Sequence, residues 1–202
     1  MTGRRQSESE HIPKDADAVG DLRGTGREIS GDDDPDEKTD GGGCEKMTIL
    51  VSACLLGENC KYNGGNNLRP ELAGLLSGHT VIPVCPEVLG GLPVPRIPAE
   101  IVDGTVMNRA GQPVNAEFRA GAEKTMEIAR QSRPDLIILQ SRSPSCGAGS
   151  IYDGSFTGKL IPGNGVFAQM AMDEGYAVID ADRAEDVLTA ERMTHDTLDP
   201  AG

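Results

Sequence analysis

Thr48-Ile49-Leu50-Val51-Ser52-Ala53 followed at once by Cys54-Leu55-Leu56-Gly57 is the stretch that sets the reading of this chain. It is a short apolar, β-favouring run that ends at a small-residue loop carrying a thiol, the pattern of a strand buried on both faces of a parallel sheet. Three further runs have the same character: Thr80–Val84, Asp135–Gln140 and Tyr176–Asp180. Between them lie helical patterns. Leu68 to Leu76 predicts a short helix. Asn115 to Ser132 puts Phe118, Ala122, Met126 and Ala129 on one face, with Asn115 as N-cap and Glu117 in the first turn. Asn164 to Glu174 repeats the pattern with Phe167, Met170 and Ala171 before a Gly175 stop, and Arg183 to Arg192 forms the last helix.

Strands alternating with helices predict a single-domain, three-layer α/β fold, with a mainly parallel sheet covered by helices on both faces. Asp103-Gly104 and Asp153-Gly154 each sit between β-favouring stretches and predict two hairpins projecting from the sheet. Residues 1–46 hold 7 Lys or Arg and 13 Asp or Glu around isolated hydrophobes, too little apolar surface to offset ordering entropy. The expected organisation is a disordered acidic extension over 1–46, a folded domain over 47–192 and a flexible tail over 193–202.

Across the chain 19 basic residues face 32 acidic ones, for a net charge of -13, which argues against general nucleic-acid or anionic-membrane binding. No apolar run reaches the ~20 residues of a membrane span, and the N-terminal residues lack a signal-peptide core, so a cytoplasmic protein is expected. Trp is absent and aromatic residues make up 3%. Gly-rich loops, rather than aromatic platforms, are therefore expected to dominate any site.

Five cysteines in a reducing compartment remain thiols available to a metal. Cys54, Cys85 and Cys146 each follow a predicted strand, at the edge where open parallel sheets bind ligands. Pro86 keeps Cys85 out of the helical region, and Ser143-Pro144-Ser145-Cys146-Gly147 surrounds the third thiol with small residues. A single strand-end Cys is commonly a small core hydrophobe; three in polar, Gly- and Pro-rich loops point to a metal or redox site. Structural zinc normally takes four ligands, often in C-x-x-C pairs, and no such pair occurs. Cys60 is a candidate fourth ligand. Cys44 lies in a Gly-rich acidic stretch and reads as a bystander, and His11, His79 and His195 show no metal-binding spacing.

Three motifs in this order, VSACLLGENCKYNGG from Val51, VCPEVLGGLPVPRIPAEI from Val84 and LQSRSPSCGAGSIYDGSFTGKLIPGNGVFAQ from Leu139, make the region from Thr48 to Asp182 resemble the thiouracil desulfidase family. The resemblance implies a 4Fe-4S cluster bound by Cys54, Cys85 and Cys146, with Cys60 not a ligand. It implies an acid/base carboxylate at Glu87 and a catalytic serine at Ser143. The implied reaction is non-redox desulfuration of a thiolated pyrimidine such as 2-thiouracil, a small-molecule thiolated nucleobase. The rival from the residues alone is a non-catalytic metal-binding or redox-sensing protein using the same three thiolates. Arg96 and Glu100 are expected to form an ion pair pinning the first hairpin. Asn63-Gly64-Gly65 reads as a turn, and Gly163-Asn164-Gly165 as a helix start offering free N–H groups to an anionic or carbonyl group.

Overall fold

The computed structural model describes residues 46–196. Its centre is a four-stranded, all-parallel sheet in the order β2-β1-β5-β8, formed by β1 (Thr48–Ser52), β2 (Thr80–Val84), β5 (Leu136–Leu139) and β8 (Val178–Asp180). The alternation of side chains along a strand, with both faces of the sheet covered, explains why β5 is apolar throughout and β1 is apolar from Ile49 to Val51. Ile49, Val51, Leu136 and Ile138 point into one core, while Leu50, Ile137 and Leu139 point into the other. The first core is closed by Leu72 and Leu76 from α1 (Pro70–Leu75) and its C-terminus, and by Ala184 and Leu188 from α5 (Ala184–Asp196). The second is closed by Ala122, Met126 and Ala129 from α3 (Asn115–Ser132) and by Phe167, Ala168 and Ala171 from α4 (Val166–Asp173). The α/β three-layer expectation holds.

Pro83 sits inside β2, opposite Val51. It is tolerated because β2 is an edge strand, where the missing N–H costs no ladder bond on the open side. Both hairpins form. In the first, β3 (Ala99–Val102) and β4 (Thr105–Asn108) are joined by Asp103 at φ 47 and Gly104 at φ 78, the double left-handed geometry of a tight hairpin turn. In the second, β6 (Ser150–Tyr152) and β7 (Leu160–Pro162) enclose a longer loop over 153–159. There the Asp153 carboxylate accepts the Ser155 N–H at 3.0 Å instead of simply closing a two-residue turn.

Several boundaries differ from expectation. Asn115 is the first helical residue of α3 and Val114 the cap, with no side-chain capping bond. The segment expected to start at Asn164 becomes helical only at Val166, and α5 begins at Ala184 and continues to Asp196. One short helix was not anticipated: α2 (Pro86–Leu89), a single turn started by Pro86 at N1 with Glu87 beside it. Its backbone touches that of α3, because a Cβ on Gly121 would lie 1.9 Å from the Pro86 carbonyl oxygen. Among the described residues, no helix is long and apolar enough to cross a membrane. The expected disordered extension, with His11 and Cys44, and the last residues of the expected tail lie outside the described residues.

Candidate metal centre and active site

The strand order decides where the site falls. From β1 the chain crosses to β2 on one side, and later elements add β5 and β8 on the other, so the loops after β1 and β5 diverge and leave a crevice at their carboxyl ends. Cys54 lies in a 3-10 turn over Ala53–Leu56 directly after β1. Cys85 caps α2 directly after β2, with the extended backbone (φ -132, ψ 100) that a following proline imposes. Cys146 lies in the loop after β5. All three thiols line one cavity of about 500 Å³, together with Glu87 and Ser143. Residues far apart in the chain therefore meet as the topology predicts.

Cys60 lines the same cavity and is buried. Its contact with the Cys54 thiol is the main cause that pushes the Cys60 thiol up to about 11, and its contact with Cys85 is the main cause that holds Cys85 far above the usual thiol range. The Cys60 carbonyl accepts from the Cys85 thiol at 3.8 Å. Burial pushes Cys146 up to about 12, reinforced by the neighbouring charges of Cys85 and Glu87. These thiols stay protonated unless a cation compensates the loss of hydration.

The donor set fits an iron–sulfur group, which takes Cys thiolates as its protein ligands. The three strand-end thiols stand around a shared cavity. Ser145 is fully buried beside Cys146, and its hydroxyl donates toward the Cys146 sulfur, favouring the thiolate. A hydroxyl donor behind a candidate ligand suits a thiolate bound to iron better than a protonated thiol. Gly165 brings the start of α4 against this loop, and a Cβ there would lie 2.4 Å from the Ser145 carbonyl carbon. The close approach holds the loop without side chains intervening.

Glu87 is held by Arg96. The Arg96 Nε donates to Glu87 Oε2 at 2.7 Å, and the two side chains are only 6% and 16% exposed. Arg96 Nη2 also donates to the Cys60 carbonyl at 3.0 Å, so one guanidinium ties the carboxylate to the thiol loop. The expected Arg96–Glu100 ion pair is not formed. Glu100 faces the second hairpin and accepts the Phe156 N–H at 2.9 Å. Arg96 instead turns to α2, whose unforeseen helical turn presents Glu87 toward it.

Ser143 Oγ accepts the N–H groups of Ser145 and Cys146, each at 3.1 Å, and lies 3.4 Å from Glu87 Oε1. With both oxygen lone pairs engaged, the hydroxyl proton is directed to the carboxylate. At 3.4 Å this contact is longer than a strong O–H···O bond, and the two groups are oriented for a proton to pass between them on closer approach.

Two further expectations change. The N–H groups of Gly163, Gly165 and Val166 are not open to a ligand: Gly163 donates to Gly149 at 3.3 Å, Gly165 to Gly147 at 2.8 Å and Val166 to Pro144 at 2.9 Å. Asn164 Oδ1 accepts from Gly149, completing a brace of the Cys146 loop. Aromatic residues are also more prominent than composition suggests, since Tyr62, Tyr152 and Phe156 all line the cavity. The sequence offered a signal for the last two in their position after the third cysteine, within the second hairpin. Asn63-Gly64-Gly65 does form its turn, with Asn63 Oδ1 accepting the Gly65 N–H at 3.1 Å.

Comparison with known proteins shows the family. The chain is 39% identical over 150 residues to the uncharacterized protein YbbK of Bacillus subtilis (strain 168), which covers 69% of this chain and 99% of that protein. A solved structure, the 4Fe-4S-dependent thiouracil desulfidase TudS (DUF523Vcz), is similar with a TM-score of 0.67 and 35% identity, covering 73% of this chain and 99% of that one. A family model described as 2-thiouracil desulfurase matches residues 49–183, the span that contains all of the sheet but Thr48, both hairpins and every residue of the cavity. The chain belongs to the 2-thiouracil desulfurase family.

Proposed function

We propose that the protein is a desulfidase that removes sulfur from a thiolated pyrimidine such as 2-thiouracil, with a 4Fe-4S cluster held by Cys54, Cys85 and Cys146. The observation that carries this reading is one cavity of about 500 Å³ walled by those three thiols and by the hydrogen-bonded Glu87 and Ser143. Family membership and the activity named for TudS support it. The catalytic domain corresponds to residues 47–192.

When bound, the cluster supplies a thiophilic Lewis acid that polarises the C=S bond and accepts the departing sulfur. The chain's own groups handle protons and position. Glu87 takes the proton of the water that adds to the thiocarbonyl carbon and returns it to a ring nitrogen or to the departing sulfur. Ser143, whose proton points to Glu87 Oε1 across 3.4 Å, exchanges protons with the carboxylate on closer approach. Arg96 keeps the carboxylate fixed throughout. Thiocarbonyl plus water gives carbonyl plus hydrogen sulfide, and no electrons are transferred.

The test is anaerobic reconstitution with iron and sulfide, followed by iron analysis and sulfide release from 2-thiouracil. Ser replacements of Cys54, Cys85 or Cys146 are expected to lose iron, and Cys60→Ser to keep it. Glu87→Gln is expected to retain iron and lose turnover by about 10²–10⁴-fold, the usual share of a general acid/base. Iron-replete wild type that releases no sulfide from any thiolated pyrimidine would leave a metal-binding protein without this activity.

A further inference from the structure

The two hairpins are clipped together beside the cavity by a small set of contacts centred on Phe156. Glu100 of β3 is only 7% exposed, and its carboxylate accepts the Phe156 backbone N–H from the β6–β7 loop. Arg109, just after β4, holds its guanidinium 5.7 Å from the centre of the Phe156 ring, within cation–π range. The hairpins also meet backbone to backbone, since a Cβ on Gly154 would lie 2.7 Å from the Ile101 carbonyl oxygen.

Phe156 itself is held at φ 58, a left-handed conformation that a bulky residue rarely adopts and that glycine would take without strain. Loop closure does not call for a phenyl ring there. A large ring held at a backbone cost stands here at the wall of a ligand cavity, the kind of place where such strain clusters. Composition points the same way. The chain has three Phe, three Tyr and no Trp, and three of those six rings, Tyr62, Tyr152 and Phe156, line this one cavity.

We propose that Phe156 is a substrate-positioning residue: its ring offers a face to the flat heterocycle that carries the C=S group, and Glu100 and Arg109 hold that ring in place. The proposal rests on the desulfidase reading and assigns the group that selects planar heteroaromatic thiocarbonyls over flexible ones. A stacked ring is held alike in the ground and transition states, so the contact acts on KM rather than kcat.

Binding of uracil, the sulfur-free ring, to anaerobically reconstituted protein isolates this contact from the chemistry. Isothermal titration of wild type, Phe156→Leu and Phe156→Tyr is the experiment, with KM and kcat for 2-thiouracil measured in parallel. Leu is expected to weaken uracil binding by about 5- to 160-fold, the range spanned by base stacking on an aromatic residue, and Tyr to restore it. KM should rise with little change in kcat. Glu100→Gln should weaken binding less than Phe156→Leu and add nothing to it in the double variant, because it acts through the same ring. If the Leu variant does not fold, Phe156→Gly replaces it, since glycine accepts the backbone conformation. Uracil binding that is undiminished in the Leu or Gly variant, equal loss in Leu and Tyr, or no uracil binding by wild type would each overturn the proposal. Wild type that binds uracil through Phe156 but releases no sulfide would refute the desulfidase reading and leave the stacking role standing.

Discussion

Arg96→Ala should damage both the stability of the domain and the chemistry of the site. The guanidinium makes three hydrogen bonds: to Glu87 Oε2 at 2.7 Å, to the Cys60 carbonyl at 3.0 Å and to the Pro93 carbonyl at 3.3 Å. Removing one partner of a fully buried ion pair costs about 3–5 kcal/mol, chiefly because the other charge is stranded. Glu87 is 16% exposed, so water reaches part of the carboxylate and the expected loss is about 2–3 kcal/mol. For a domain of this size that corresponds to a fall in melting temperature of about 4–12 °C. The same change frees Glu87 to rotate away from Ser143, and a misplacement of ~1 Å at a reacting centre costs on the order of 100-fold in rate. Arg96→Lys should fall between wild type and Ala, because one ammonium cannot reproduce the forked contact with both Glu87 and the Cys60 carbonyl. Thermal and urea unfolding measure the first effect, and single-turnover sulfide release measures the second. A loss of stability below ~0.5 kcal/mol together with an unchanged rate would refute the assignment of Arg96 as the anchor of Glu87.

The contact between α2 and α3 makes a second prediction. Gly121→Ala places a methyl group 1.9 Å from the Pro86 carbonyl oxygen, and Gly90→Ala places one 2.1 Å from the Glu117 carbonyl oxygen, so either should cost about 1–3 kcal/mol or more despite the better helix propensity of alanine. Turnover should fall as well, since α2 carries Glu87; Gly74→Ala in α1, where a Cβ meets nothing within 4 Å, should instead stabilise by up to ~1 kcal/mol, and equal melting temperatures for the three variants would contradict the packing account. Asp182 supplies a pH dependence. Its carboxyl is held below the ordinary 3.8 by hydrogen bonding to Arg69 and by the charge of Arg142, so its contribution is present above that value and is lost as pH falls through the lowered one. Asp182→Asn should flatten the acid limb of the stability curve, an effect that added salt diminishes because the pair is about half exposed; an unaltered limb in urea titrations between pH 5 and pH 2 would refute it.

The central sheet was legible in the sequence because β1 and β5 bury both faces. Thr48–Ser52 and Leu136–Leu139 carry no alternation of polar residues, a pattern with few solutions other than an inner parallel strand. Helix α3 was legible for the opposite reason, a one-sided apolar stripe. The short α2 turn was not, since four residues present no period and only Pro86 marks its start. Arg96 pairs with Glu87 and not with Glu100, its neighbour in sequence: the helical turn brings Glu87 to Arg96 and leaves Glu100 to the second hairpin.

The sequence by itself determined the strand ends, and with them the meeting of Cys54, Cys85 and Cys146. Local pattern marks where each strand stops, and the carboxyl edge of a parallel sheet gathers such ends together. Tertiary structure alone decided the placing of Cys60 against Cys54 and Cys85, the Arg96 fork, and the aromatic wall of Tyr62, Tyr152 and Phe156. These depend on how loops and hairpins fold back over the sheet edge. Contacts of that kind join residues without periodicity or fixed spacing, so no local pattern records them before the chain is packed.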